Sequence, residues 1–283
     1  MMKVCMFPGQ GSQKIGMGKL LFDKYPEYVK KTDEILGYSI KELCLNPEKK
    51  GYLNKTEYTQ PALYLVNTLS YMEFLENNSM PEYVIGHSLG EYNALQAAGV
   101  FDYETGLYLV KKRGELMGKI QGGGMMAVLN ISLQKIQEIL KVNNLSKVDI
   151  ANINSKAETI ISAPECELSK SADILERYGA CIVRLNVSGA FHSRYMSIIL
   201  EEYKKVLEKI QFMNSKISVI SNYSVKSYTK DNALENLLLQ ITNPVRWVEI
   251  IEYLNQNGCD DFIQVGPGRV LKKLCNNILD ISA

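Results

Sequence analysis

The sequence lacks the clustered cysteines and histidines that build metal sites. Its 283 residues include two histidines, His87 and His192, and six cysteines, at positions 5, 44, 166, 181, 259 and 275. No two of these cysteines form a CxxC pair, so we expect no zinc site and no other bound metal. The chain is also too long for a scaffold held together by disulfides, and we expect reduced thiols in a cytoplasmic protein.

An excess of one charge and long apolar runs are missing as well. Lys plus Arg is 32 and Asp plus Glu is 31, which leaves a net charge of +1. We therefore expect no nucleic-acid partner and no attachment to an acidic membrane surface. No apolar run approaches the roughly 18 residues of a membrane span, and the stretch before Pro8 is too short for a signal peptide.

Most of the chain alternates between short apolar strands and helical segments, and hydrophobic residues make up 46% of it. Strands are predicted at 3–7, 83–85, 217–221 and 262–265, and helices at 60–77, 89–98, 103–120, 196–210, 247–257 and after Pro267. This alternation predicts an α/β fold with a mostly parallel sheet. Asp102 is a suitable N-cap for the helix that follows it.

A glycine run at 122–124 precedes a second pattern. Three consecutive glycines are unfavourable inside a regular element, so we expect a hinge or crossover there. Strands are then predicted at 126–129, 148–153, 159–162 and 181–187, and helices at 133–142 and 167–178. Their order is that of a ferredoxin-like unit. We therefore predict an inserted ferredoxin-like subdomain at 124–187 and a larger domain formed by 1–123 and 188–283.

The segment Gly-His-Ser-Leu-Gly at 86–90 fits the G-x-S-x-G pattern of a nucleophile elbow. In an elbow the serine occupies a tight turn between strand and helix, and the flanking glycines relieve a clash with the backbone. The Ser88 hydroxyl would then lie above a helix N-terminus, whose N–H groups stabilise an oxyanion. The pattern alone is weak, and the alternative is an ordinary turn with a capping serine. The strand before it and the helix after it favour the elbow, and the larger domain is expected to be α/β-hydrolase-like.

A serine nucleophile needs a base, and the chain offers two imidazoles. His87 is adjacent to Ser88, and adjacent side chains at a strand end point in opposite directions. This leaves His192, which follows the last strand of the predicted insert. Taken alone, His192 would be interpreted as a structural histidine, but the elbow requires a base. No Asp or Glu is marked out by a motif, so these residues leave open whether a carboxylate or a carbonyl orients His192.

The glycine-rich segment 7–13 follows the first strand, where a phosphate-binding loop could lie. A P-loop requires lysine where Met17 stands, and the dinucleotide pattern requires glycine where Lys14 stands. Nucleotide binding through this loop is therefore not expected. The loop can still supply a backbone N–H group to an oxyanion hole.

Taken together, these motifs resemble the malonyl-CoA:acyl carrier protein transacylase family. The matching blocks run in order along almost the whole chain, at 7–13, 59–63, 86–91, 112–117, 151–155, 190–193, 243–247 and 265–268. The likeness is strongest to free-standing, trans-acting acyltransferases that serve polyketide synthases without a built-in one. The chain ends soon after the last block and is shorter than many family members.

The resemblance implies a ping-pong transfer. Ser88 would attack the thioester of malonyl-CoA with His192 as base, and the ester would then pass to the phosphopantetheine thiol of an acyl carrier protein. Backbone N–H groups of Gln10 and Leu89 would form the oxyanion hole, and the backbone carbonyl of Gln240 would orient His192. The pathway would be polyketide or fatty acid biosynthesis. No permanently bound cofactor is implied, and we expect a monomer.

Two further residues are assigned to the acyl group by the resemblance. Arg113 would bind the free carboxylate of malonyl, whereas its position beside Lys111 and Lys112 would otherwise favour a solvated cluster. Phe191 would crowd an α-methyl group and so favour malonyl. A thioester hydrolase would use the same serine and histidine, and a non-catalytic docking subunit would keep only the fold. Arg113 favours transfer, since a simple acyl chain offers it no carboxylate.

Overall fold

A computed structural model of the chain describes residues 2–281. Within this range the strands are β1 (Met2–Phe7), β2 (Tyr83–Gly86), β3 (Gly123–Leu129), β4 (Asp149–Ser155), β5 (Glu158–Pro164), β6 (Cys181–Arg184), β7 (Ser218–Val219) and β8 (Cys259–Gln264). They form two four-stranded sheets, one in the order β7-β2-β1-β8 and the other in the order β4-β5-β3-β6. The fold therefore mixes helices with one parallel and one antiparallel sheet, as an α/β protein does.

Helices surround both sheets. In the described part of the chain they are α1 (Lys19–Lys24), α2 (Pro26–Leu36), α3 (Ile40–Leu45), α4 (Lys50–Leu53), α5 (Thr56–Asn77), α6 (Gly90–Ala97), α7 (Tyr103–Gly118), α8 (Leu133–Val142), α9 (Glu165–Arg177), α10 (Leu200–Leu207), α11 (Ala233–Gln240), α12 (Trp247–Gln256) and α13 (Val270–Ile278). Short 3-10 helices cover Pro47–Lys49 and Arg194–Ile199. No helix among residues 2–281 is long and apolar enough to cross a membrane.

The parallel sheet is covered on both faces. Along β1, Cys5 and Phe7 belong to one buried cluster, while Val4 and Met6 belong to a second cluster on the opposite face. Because successive side chains of a strand point to opposite faces, a strand covered on both sides must be apolar throughout. This explains the continuous apolar run that predicted a strand at 3–7.

The antiparallel sheet contains the second pattern. Its elements follow the predicted order of strand, helix, two strands, helix and strand. Met126 and Val128 of β3 pack beneath α8 and α9, whereas Met125 and Ala127 face the main core. Both faces of this sheet are therefore also packed: one face contacts its own helices, and the other contacts the rest of the molecule.

The structure corrects the expectation for the glycine run. Only Gly122 lies in the crossover, with φ of 83°, and β3 already begins at Gly123. A Cβ on Gly123 would lie 2.9 Å from the Cβ of Ala190. Glycine at this place thus allows a close approach between the first strand of the second sheet and the segment that returns from it.

Other boundaries differ for reasons of packing. Helix α5 begins at Thr56, so that Pro61 lies beyond its first turn, and nearly every residue from Thr56 to Leu69 is buried. The helix predicted at 196–210 opens as a 3-10 helix and ends at Leu207. Helices α1 to α4 and α11 were not predicted. Asp102 does cap α7, because its side chain accepts a hydrogen bond from the N–H of Thr105.

The six cysteines carry free thiols. No group of three or more His, Cys, Asp or Glu side chains among the described residues could hold a metal ion. Strand β4 also forms an isolated bridge with the segment between α11 and α12, in which the Val245 N–H donates to the Ala151 carbonyl at 2.9 Å.

Candidate active site

Ser88 lies on the turn between β2 and α6 and has φ of 52°. This is the left-handed region, which residues with a side chain rarely adopt. A Cβ on Gly86 would lie 1.9 Å from the carbonyl carbon of Gly90, and a Cβ on Gly90 would lie 2.0 Å from the Phe7 carbonyl oxygen. Both places therefore admit only glycine, and the steric argument for an elbow holds in the structure.

His192 reaches the serine. Its Nε2 lies 2.7 Å from the Ser88 Oγ, and its Nδ1 lies 2.8 Å from the backbone oxygen of Gln240. A carbonyl can only accept, so Nδ1 carries the proton and Nε2 is free to accept the serine proton. The sequence alone left open which group orients His192. In the structure this group is the backbone carbonyl of Gln240, at the end of α11.

Burial also keeps His192 neutral. The residue is 3% exposed. Burial, and then the charge of Arg113, lower the pKa of His192 from 6.5 to about 3, although the Gln240 carbonyl opposes this shift. A neutral imidazole next to a serine hydroxyl can act as a general base at neutral pH.

His87 points away from the serine, as the alternation of side chains predicted. Its Nε2 lies 2.9 Å from the Asn154 Oδ1, and its ring packs edge-on against Trp247 with centroids 5.4 Å apart. Burial lowers its pKa as well. Its contacts join the elbow to the antiparallel sheet and to α12.

Arg113 is buried beside the serine, with 1% of its surface exposed. Its Nη2 donates to the Ser88 Oγ at 3.1 Å and to the Gln240 Oε1 at 2.9 Å, and its Nη1 donates to the Gln60 Oε1 at 2.9 Å. The interpretation as part of a solvated cluster is therefore wrong. The neighbouring Lys112 is only partly exposed and forms an ion pair with Glu115.

The described residues give the guanidinium of Arg113 no counter-ion of its own. Among residues 2–281, no carboxylate oxygen lies within 4.0 Å of it, and its Nε has no hydrogen-bond partner. A buried cation that meets only neutral acceptors is costly, and an anionic ligand would offset that cost. The site is therefore suited to a substrate with a carboxylate near its reacting carbonyl.

The two predicted oxyanion donors come from different segments of the chain. Gln10 lines the cavity from the loop after β1, and Leu89 directly follows Ser88. A Cβ on Gly9 would be 3.6 Å from the Leu89 nitrogen, so the first loop runs against the elbow. Within the described residues, neither the Gln10 nor the Leu89 N–H donates to another protein group. Their role stays a prediction.

A cavity of about 490 Å³ opens over these groups. Its apolar wall is the inner face of the antiparallel sheet, with Met125, Ala127 and Ile160, and Phe191 adjoins this wall. Phe191 is 4% exposed, and its backbone oxygen accepts a hydrogen bond of 2.8 Å from the Ser162 hydroxyl of β5. The cavity can thus hold an acyl group between the serine and a fixed aromatic ring.

Sequence reasoning assigned no role to several polar residues that the fold brings to this site. Gln60 holds Arg113, and Glu91 and Asn222 lie beneath the elbow. Gln60 and Glu91 belong to recognisable motif blocks, but Asn222 carries no local signal. Its proximity to Ser88 depends on how the chain returns to the sheet at β7.

A serine on a strand–helix turn, paired with a histidine and facing a cavity, is typical of enzymes that carry an acyl group on serine. The chain belongs to the acyl transferase domain family, whose pattern matches residues 4–280. The family resemblance predicted from the motifs is thereby confirmed.

Individual relatives are similar to this chain along almost its full length. The polyketide biosynthesis malonyl CoA-acyl carrier protein transacylase PksC of Bacillus subtilis is 49% identical over 96% of this chain and 96% of its own. The crystal structure of a malonyl CoA-acyl carrier protein transacylase from Burkholderia pseudomallei has a TM-score of 0.95 at 40% identity, covering 100% of this chain and 99% of that one. A malonyl-transacylase solved in complex with its type II PKS acyl-carrier protein has a TM-score of 0.93 at 32% identity, covering 99% and 94%.

Proposed function

We propose that this protein transfers a malonyl group from malonyl-CoA, through an ester on Ser88, to the phosphopantetheine thiol of an acyl carrier protein in polyketide or fatty acid biosynthesis. The observation that carries the proposal is Arg113, a buried cation 3.1 Å from the Ser88 hydroxyl that has no carboxylate partner within residues 2–281. The names of the related proteins support the same substrate and partner.

In the first half of the reaction, the Ser88 oxygen attacks the thioester carbonyl while His192 Nε2 takes the hydroxyl proton. The carbonyl oxygen becomes an oxyanion, which the N–H groups of Gln10 and Leu89 would stabilise. The C–S bond then breaks, and His192 returns the proton to the departing thiol of coenzyme A. The products are free coenzyme A and a malonyl ester on Ser88.

In the second half, the carrier's phosphopantetheine thiol takes the place of coenzyme A. His192 removes the proton of this thiol as its sulfur attacks the ester carbonyl, and then donates the proton to the Ser88 oxygen when the ester bond breaks. The neutral state that burial favours for His192 allows it to act as base in both halves. Neither half requires a metal or a bound cofactor.

The carboxylate of the malonyl group would bind Arg113. The guanidinium presents paired N–H donors to two oxygens and stays charged when buried. The alternative of a thioester hydrolase has no support from the three relatives described above, which are named as transacylases. Phe191, fixed against β5, would disfavour an α-methyl substituent on the acyl group.

The same proposal extends to the organisation of the chain. We take residues 1–123 and 188–283 as an α/β-hydrolase-like catalytic domain and 124–187 as a ferredoxin-like insert. The strand order β4-β5-β3-β6 and the antiparallel pairing support the second assignment. A basic patch beside the cavity is expected to meet an acidic carrier protein. A monomeric state and a cytoplasmic location stay predictions.

The test is the covalent adduct itself. After incubation with malonyl-CoA, intact mass is expected to show one malonyl group on the wild-type protein, and peptide mapping to place it on Ser88. Ser88→Ala is expected to abolish the label. Ser12→Ala, the same change at another serine that lines the cavity, is expected to keep it.

The label must also move to the right acceptor. Addition of a carrier protein with its phosphopantetheine arm is expected to discharge the enzyme and malonylate the carrier. Release of free malonate at the same rate with and without the carrier would contradict transfer and restore the hydrolase alternative. A label that persists in Ser88→Ala would contradict the assignment of the nucleophile.

A further inference from the structure

Glu91 is a fully buried carboxylate that the proposed reaction does not use. It lies in the first turn of α6, and its Oε1 accepts a hydrogen bond of 2.6 Å from the N–H of Asn222. Its Oε2 accepts from the side-chain Nε2 of Gln240. Each oxygen of this carboxylate thus holds one residue from a distant part of the chain.

These two partners hold the backbone of the nucleophile from both sides. The Asn222 Oδ1 accepts from the Ser88 N–H at 2.7 Å, and its Nδ2 donates to the Gly86 carbonyl at 2.7 Å. The Gln240 Nε2 donates to the Ser88 carbonyl at 2.9 Å. Because Ser88 has a left-handed backbone, which is unfavourable for a residue with a side chain, its conformation depends on such bonds.

Gln240 also connects the other members of the site. Its Oε1 accepts from Arg113 Nη2 at 2.9 Å, and its backbone oxygen faces His192 Nδ1 at 2.8 Å. A flipped side-chain amide would point Oε1 at the Glu91 carboxylate and the NH₂ group at the guanidinium. Two acceptors or two donors would then meet, so Glu91 selects one orientation of the Gln240 amide.

We propose that Glu91 is a positioning residue for acyl transfer: through Asn222 and Gln240 it fixes the backbone of Ser88 and the place of Arg113. It touches neither the acyl group nor the reacting atoms. The inference rests on the proposed function, because it assigns Glu91 a part in malonyl loading. It also makes a claim about the Ser88–His192 pair that holds for any acylating reagent.

The test is Glu91→Gln, which keeps the size of the side chain but leaves one acceptor oxygen for two N–H donors. We expect kcat for malonyl loading to fall on the order of 10- to 100-fold, as for a small displacement of reacting groups. The preference for malonyl-CoA over acetyl-CoA is expected to narrow, because Arg113 loses its fixed neighbour. Labelling of Ser88 by phenylmethanesulfonyl fluoride, which needs neither coenzyme A nor Arg113, is expected to slow in parallel.

Glu115→Gln is the matched control, since it makes the same change in a partly exposed carboxylate on α7. It is expected to leave both labelling rates and the acyl preference unchanged. A folded Glu91→Gln protein with wild-type kcat, acyl preference and sulfonyl fluoride reactivity would overturn the inference. If Glu91→Gln does not fold, Asn222→Ala breaks the same chain of bonds at Ser88, and wild-type rates in a folded Asn222→Ala protein would overturn it equally.

Failure of the proposed function gives a different result. A wild-type protein that reacts with the sulfonyl fluoride but never with malonyl-CoA would contradict malonyl transfer. The sulfonyl fluoride rates of Glu91→Gln and Glu115→Gln would still decide whether Glu91 positions the serine.

Discussion

The two sheets of this molecule contribute different things to one cavity. The parallel sheet ends at the reactive groups, since Ser88 follows β2 and Gln10 follows β1. The antiparallel sheet contributes a surface, because Met125, Ala127 and Ile160 line the cavity with one face of the sheet. The parallel sheet thus positions polar groups at the ends of its strands, and the antiparallel sheet provides an apolar surface along its strands.

The difference follows from how each sheet is covered. Both faces of the parallel sheet are packed against core clusters, so only its edge at the carboxyl ends of the strands is open to a ligand. The antiparallel sheet has its own helices on one face only. Its other face is available to line the cavity, and Phe191 is fastened to it through Ser162. We therefore expect mutations near the parallel sheet to change rates, and mutations along the wall to change selectivity.

The largest contrast is expected from one added methyl group in each sheet. Gly86→Ala places a Cβ 1.9 Å from the backbone of Gly90, and we expect it to cost at least about 3 kcal/mol of unfolding free energy together with malonyl loading. Gly124→Ala in β3 meets side-chain atoms of Leu168 and Arg184 at 3.2 and 3.3 Å, and we expect a change below about 1 kcal/mol. Urea unfolding of both variants measures the difference, and equal stabilities would contradict it.

Arg113→Ala is expected to have the next largest effect. Removal of a buried charged partner from the malonyl carboxylate costs about 3 kcal/mol, or roughly 100-fold in malonyl loading. Acetyl loading is expected to be spared, because acetyl carries no carboxylate. Lys112→Ala, on the same helix but partly exposed, serves as control. An equal loss for both acyl groups in Arg113→Ala would contradict the carboxylate role of Arg113.

Phe191→Leu tests the wall. A shorter side chain leaves room for an α-methyl group, and we expect the preference for malonyl over methylmalonyl to fall by about 1–3 kcal/mol. Malonyl loading itself is expected to change little, because the Ser88–His192 pair is untouched. Competition between the two coenzyme A esters, read by intact mass, measures the ratio. A fall in malonyl loading with constant selectivity would show that Phe191 acts on the reactive groups instead.

The smallest expected effect, counted per pH unit, is the change of the free energy of unfolding with pH. With the pKa of His192 lowered from 6.5 to about 3, the unfolded chain binds a proton between these values that the folded protein does not. Stability from this group is therefore lost as the pH falls through that window, by about 1.4 kcal/mol per pH unit. Burial raises the pKa of Glu91 from 4.5 to about 7, so its contribution is lost as the pH rises through 4.5 to 7.

The two slopes oppose each other between pH 4.5 and 6.5, and the wild-type profile is expected to be nearly flat there. In His192→Gln only the contribution of Glu91 is expected to remain, so the free energy of unfolding should rise as the pH falls. In Glu91→Gln only the contribution of His192 is expected to remain, so the free energy of unfolding should fall as the pH falls. Urea unfolding at a series of pH values measures all three profiles, and parallel profiles would contradict the assignment of these groups.

Local signals in the chain predicted much of the fold. The strands of both sheets, the order of the second unit and the cap at Asp102 follow from periodicity and from turn and capping residues, which act over a few positions. The glycine run at 122–124 misled this reasoning, because the close approach of Gly123 to Ala190 involves residues far apart in the chain. Helices α1, α3 and α4 were missed since helices of four to six residues carry few turns of periodic pattern. Helix α2, with 11 residues, was missed in spite of its length.

By itself, the sequence singled out Ser88 as the predicted nucleophile and His192 as its predicted base. Ser88 lies in a turn whose glycines are needed for local steric reasons, and His192 remained because the other histidine faces away from the serine. The tertiary structure alone decided that Arg113 is buried with no carboxylate partner in the described part of the chain, and that Glu91 and Asn222 hold the elbow. Burial and charge balance depend on which distant segments pack together, and a pattern of neighbouring residues does not specify that packing.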